Sequence, residues 1–141
     1  DNYDYIVVDT PPSLGILTVN SLTAADKVLI PISAEYMALR GLRMLLDTLE
    51  NVREVTSPGL KIMGILATRY DSRTINSREV YQYLGEFCKR VGIHLFPQVI
   101  KQSVRFAEAP GYSMPLALWR KELDGAKQYQ KLAEEVLDGK V

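Results

Sequence analysis

Three stretches of the chain are apolar without polar alternation. Tyr5, Ile6, Val7 and Val8 run into Asp9, Val28, Leu29 and Ile30 lie between Lys27 and Pro31, and residues 62–67 follow Lys61. Short, β-branched and unalternating, they read as strands buried on both faces of a parallel sheet. A weaker fourth run, LFPQVI at residues 95–100, carries Pro97, which points to a sheet edge or a strand start. Helical spacing falls between these runs. Leu39, Leu42, Leu46, Leu49 and Val52 recur every three or four positions and form one apolar face of a helix over 38–52. Val80, Leu84, Phe87 and Val91 repeat the pattern, and Asn76 with Glu79 three residues on predicts a capping-box start. Ala126, Tyr129, Ala133 and Val136 predict a last helix ended by Asp138 and Gly139. The TSPG stretch at 56–59 is a short turn, and no internal repeat interrupts the series. Strands alternating with helices predict an α/β fold, a mostly parallel sheet flanked by helices.

Composition narrows the function classes. The 141 residues fit one domain, and 47% hydrophobic with 24% charged is the balance of a core-forming chain. Seventeen basic and seventeen acidic residues cancel, so a globally basic nucleic-acid binder is not indicated and only a local basic patch could serve. The single Cys88 excludes an internal disulfide and argues against a thiolate metal cluster. No apolar run reaches the length of a membrane span, and a cytoplasmic protein is the simplest expectation. An opening directly on an apolar strand, without an initiator methionine, suggests a piece of something larger.

The chemistry concentrates at Asp9. In a parallel α/β sheet, ligands collect at the carboxyl ends of strands. Four apolar strand residues closed by an aspartate form a Walker B pattern, in which the carboxylate holds Mg²⁺, usually through water, beside nucleotide phosphates. The bland alternative is a strand ending in a capping aspartate. Thr10, Pro11 and Pro12 make the signal more specific, because two prolines force the following loop out of helix.

The segment YIVVDTPPSLGILTVNSL at 5–22 resembles the second switch of the ParA/Soj family of partition ATPases. AADKVLIP at 24–31, AEYMALRG at 34–41, GILATRYDSRT at 64–74 and SVRFAEAP at 103–110 continue that resemblance in order. It implies a C-terminal portion of a Rossmann-like P-loop NTPase domain spanning 1–141. The phosphate-cradling G-x-x-x-x-G-K-[ST] loop, which the family carries upstream with its first switch, has no counterpart in these residues. The 141 residues alone are therefore expected neither to hydrolyse ATP nor to bind it tightly. The family runs a cycle of ATP-dependent dimerisation and non-specific DNA binding that segregates chromosomes, plasmids or other cargo.

Carried over residue by residue, the resemblance implies Asp9 as the catalytic, magnesium-side acid, with ATP and Mg as cofactors of the whole protein. It places Thr68 beside the adenine from one side and Lys101, Gln102 and Ser103 from the other. The last three depart from the family's usual Ile-Pro-Arg-Asn, so backbone contacts transfer better than side-chain ones. Arg73 and Arg105 match DNA-contacting positions, and Arg69, Arg78 and Lys101 would extend that patch if the segments meet. The implied partners are a second identical subunit, DNA and a ParB-like stimulating adaptor, with a nucleoid-associated location and no membrane.

Other residues read more plainly. His94, the only histidine and with no acid expected beside it, is not expected to be catalytic or metal-binding. Cys88 and Trp119 read as packing groups, Glu108 as part of a loop shape, and Glu35 as an outside candidate for the nucleotide or dimer side. The runner-up readings are a MinD-like membrane-positioning ATPase, an amidotransferase-type synthase, and a non-enzymatic α/β binding module. The acidic Glu134, Glu135 and Asp138 on the last helix argue against the membrane branch, whose terminal helix is basic.

Overall fold

The computed structural model describes residues 2–139. Three parallel strands, β1 (Lys27–Ser33), β2 (Lys61–Tyr70) and β3 (Leu95–Lys101), pair in the order β1-β2-β3. Helices α1 (Ile16–Ala24), α2 (Tyr36–Val55), α3 (Ile75–Val91) and α6 (Asp124–Leu137) alternate with them, and short turns of helix at Arg105–Glu108 (α4) and Leu116–Trp119 (α5) follow β3. This is the expected parallel α/β architecture. β3 lies at an edge, so Pro97 takes no donor from an interior ladder.

The sheet is clad on both faces because neighbouring strand residues point to opposite sides. Ile30, Ile32 and Ile65 turn to α1, α2 and α3, where they pack with Leu22, Leu42, Leu49, Val52, Val80, Leu84 and Cys88. Leu66, Phe96 and Ile100 turn the other way, onto Leu132 of α6. Each of the three strands is longer than its apolar core, since backbone pairing continues through polar residues such as Ser33 and Tyr70. At Gly64 the register slips by one, and an added Cβ would lie 2.8 Å from both the His94 carbonyl and the Phe96 ring. Only glycine lets β3 approach there.

Three expectations are corrected. Residues 5–9 form no strand. A strand exists only with a hydrogen-bonded neighbour, and none is paired to this segment among the described residues, so Ile6 and Val7 stand 90% and 92% exposed. Asp9 accordingly does not sit at a strand's carboxyl end. The cap of α3 is Thr74, whose hydroxyl accepts from Ser77 N at 3.3 Å, rather than Asn76; Glu79 instead accepts from Tyr36 Oη at 2.8 Å. His94 does have an acid beside it, Glu135 on α6, with Nε2 and Oε1 2.9 Å apart. The same carboxylate receives Gln98 Nε2 at 2.8 Å, so the trio ties β3 to α6 at the amino end of the sheet.

Candidate functional site

The carboxyl ends of β2 and β3 continue into two loops that begin side by side. Tyr70 pairs with Lys101, and Gln102 N donates to Tyr70 O at 3.0 Å, which brings the end of β2, with Thr68 and Arg69, beside the end of β3 at Lys101 and Gln102. The two segments read from sequence as flanking a base are thus neighbours. Thr68 pairs with Ser33 across β1, and its hydroxyl donates to Ile32 O at 3.1 Å, leaving its oxygen lone pairs to accept. Ser33 Oγ is buried at the end of β1 without a hydrogen-bond partner. Ser77 Oγ donates to Ala34 O and accepts from Asp71 N, fastening α3 and the 71–73 turn to the β1 end.

Arg69 adopts the left-handed region at φ 51°, a conformation that costs a non-glycine residue about 1–2 kcal/mol. It lies one residue past Thr68, and its guanidinium meets Glu35 from the β1 end at 3.5 Å. Neither the conformation nor the pairing has a signal in the sequence. Glu35 therefore faces an arginine of its own chain.

Both arginines proposed for DNA are engaged locally. Arg73 folds back on Asp71: its backbone N–H and Nε both donate to Oδ1, at 3.0 and 2.9 Å, and Nη2 donates to Oδ2 at 2.8 Å. Arg105 Nη1 donates to Glu108 Oε2 at 2.7 Å. Lys101 meets Asp124 at 3.1 Å, and Arg78 donates to Ser72 O at 3.0 Å. The Asp-x-Arg and Arg-x-x-Glu spacings were the available signals, since an Asx turn and an i,i+3 ion pair suit them.

Hydrogen bonds from the Arg73 side chain, then from its backbone, hold the Asp71 carboxyl down at about 2 from an ordinary 3.8. A depressed carboxylate contributes stability above its unfolded pKa and loses it as pH falls through the folded one. The 71–73 turn is therefore expected to stay intact on acidification until the pH drops from about 4 towards 2. Following the Asp71 carboxyl carbon by NMR checks this, and a midpoint near 4 would show that the pair does not form in solution.

Asp9 stands apart. It is exposed on the unpaired segment, and no hydrogen bond or ion pair joins it to either loop among the described residues. The loop after it bends through Pro11 and Pro12, and Thr18 Oγ1 of α1 secures it by donating to Ser13 O at 2.5 Å. No group of three or more His, Cys, Asp or Glu that could hold a metal ion occurs among the described residues. A single aspartate fits Mg²⁺ in the manner that ion prefers, retaining most of its waters and taking one carboxylate with ligand phosphates. The Thr68 oxygen keeps lone pairs that could accept from a ligand, whereas Gln102 N is already given to Tyr70 O.

Elsewhere, Cys88 is buried, which raises its thiol pKa, and Trp119 stacks on Tyr112 at 4.2 Å with Arg120 over its ring, as a packing role implies. Leu132 and Val136 of α6 pack onto the sheet, and no described helix is long and apolar enough to cross a membrane.

A family model described as an AAA domain matches residues 1–62. The chromosome-partitioning ATPase Soj of Treponema pallidum is 41% identical over 137 residues, covering 97% of this chain and 53% of that protein. The Soj of Thermus thermophilus is 43% identical over 97% of this chain and 54% of its own length. Among solved structures, cobyrinic acid a,c-diamide synthase from Mycobacterium smegmatis, with a bound ATP analogue and magnesium, superposes with a TM-score of 0.72 at 34% identity, covering 92% of this chain and 45% of that one. Apo McdA from Cyanothece superposes at 0.77 with 20% identity, over 91% of this chain and 51% of its own, a likeness of fold alone. The chain spans about half the length of the curated relatives it matches. Along nearly all its residues the chain is similar to ParA/Soj proteins over about half of their length, and its fold is of the P-loop-NTPase type.

Proposed function

We propose that these 141 residues are the C-terminal part of a ParA-type ATPase domain, supplying the magnesium-side acid and the base-side loops of a nucleotide site completed by upstream residues. The whole protein would use an ATP-dependent dimerisation and DNA-binding cycle to distribute chromosome, plasmid or other cargo in the cytoplasm, on the nucleoid, under a ParB-like adaptor. The observation that supports this reading is the Tyr70–Lys101 pairing, which brings the carboxyl ends of β2 and β3, and so the starts of the loops that follow them, together. In it, Asp9 would hold Mg²⁺ through water, and Mg²⁺ when bound neutralises charge on the phosphates. Thr68 and the backbone of Lys101, Gln102 and Ser103 would orient the base. Arg73 and Arg105 would meet DNA phosphates without reading sequence.

Binding of a labelled random-sequence duplex to the chain, measured by anisotropy across a salt series, tests the DNA side. Affinity is expected to be weak and to fall steeply with salt, and replacing both Arg73 and Arg105 by alanine is expected to flatten the salt slope by about 1 per arginine. A double variant binding as its parent does, with the same slope, would remove these sites from the reading. The synthase named above shares this architecture, but nothing in the paired arginine loops favours amide chemistry over phosphate contact.

A further inference from the structure

Four of the five cations at the carboxyl edge sit within 3.5 Å of a carboxylate: Arg69 with Glu35, Arg73 with Asp71, Lys101 with Asp124 and Arg105 with Glu108. Two of these pairs are local in sequence and well formed. Asp71 takes three hydrogen bonds from Arg73, although the arginine side chain is 87% exposed and free to point into water. Glu108 takes the Arg105 guanidinium at 2.7 Å. A carboxylate accepting from both Nε and Nη2 occupies the same side of a guanidinium fork that a phosphate diester would take. An incoming phosphate therefore competes with a tethered acid for the Nε/Nη2 side of Arg73 and for Nη1 of Arg105.

We propose that Asp71 and Glu108 act as built-in counter-charges, competing with phosphate for part of the Arg73 and Arg105 guanidinium groups and weakening how this surface holds DNA. This rests on the reading of Arg73 and Arg105 as phosphate contacts. The acids compete with the ligand and do not assist it. Exposed ion pairs are weak enough to be exchanged, so the device lowers affinity without blocking binding. It also suits a surface meant to release: the carboxylate retakes its part of the guanidinium as the phosphate leaves.

The test is duplex affinity at low salt for Asp71→Asn and Glu108→Gln. The amide introduced by Asp71→Asn would keep an oxygen for the Arg73 backbone N–H, so the change removes charge more than it removes the turn. Glu54→Gln, at an exposed acid in the last turn of α2, makes the same change in net charge away from this edge. Each edge variant is expected to bind about twofold to fivefold tighter than the parent, the competition that an exposed pair can exert, while Glu54→Gln leaves affinity unchanged. Unchanged or weaker binding by both edge variants, where the double arginine variant does lose affinity, would overturn the counter-charge role and leave the DNA reading standing. Equal tightening by all three acid replacements would reduce the effect to net charge and overturn it as well. If the double arginine variant binds like its parent, the DNA reading falls first and this inference with it. Circular dichroism on each variant establishes that the fold is retained.

Discussion

Phe96→Ala is expected to cost about 3–5 kcal/mol of folding stability, the range for deleting a fully buried aromatic ring. Phe96 is 0% exposed and forms the centre of the smaller core, with Leu66 and Ile100 beside it and Leu132 of α6 above. Its ring also stands edge-on to His94 at 4.8 Å and fills the space left by Gly64. Removing it opens a cavity between the sheet and α6 that three aliphatic side chains cannot close. Domains of this size are held by roughly 5–15 kcal/mol, so the loss takes much of the total. Urea unfolding followed by circular dichroism should show a midpoint falling strongly with little change in slope. A loss under about 1 kcal/mol, well below the range for such deletions, would mean that α6 does not pack on β3 as described.

The second large effect concerns association rather than stability. Ile6 and Val7 are almost fully exposed on a segment of strand-like composition, and one edge of β1 is unpaired among the described residues. Apolar, β-prone backbone next to an open sheet edge is a template for pairing between copies. Ile6→Asp combined with Val7→Lys leaves net charge unchanged, and two exposed positions should change unfolding free energy by no more than about 0.5 kcal/mol each. Self-association of the chain, however, is expected to be lost. Sedimentation velocity over a concentration series reads this directly. A parent that stays monomeric throughout, or a variant that associates as strongly, would exclude this segment as the contact.

This contrast also marks how far sequence reasoning reached. The runs at 28–30, 62–67 and 95–100 became β1, β2 and β3, because unalternating apolar residues need cover on two faces and the helices between them supplied it. The run at 5–8 has the same composition and did not become a strand. Strand identity depends on a neighbour, and periodicity holds no information about whether one is paired. Helix α1 went unpredicted since it has no continuous apolar face: Ile16 and Leu17 point outward while Leu22 is buried. For the candidate site, Thr68 and Lys101 lie in the last residues of β2 and β3, and Arg73 and Arg105 follow those strands. Residue order could not reveal that Arg69 turns left-handed, or that Glu135 reaches His94 across 41 positions. Both depend on tertiary packing of elements distant in sequence.

The two-faced core has a consequence for how the chain comes to be folded. Every buried member of the larger core lies between Leu22 and Cys88, so that face can close as soon as those residues are made. The opposite face needs Leu66, Phe96 and Ile100 to wait for Leu132. During synthesis the sheet therefore passes through an interval, tens of residues long, in which one side is dry and the other bare. Contacts of long sequence separation close last and leave apolar surface open meanwhile. That interval, rather than the finished molecule, is when a chaperone would find the back of this sheet.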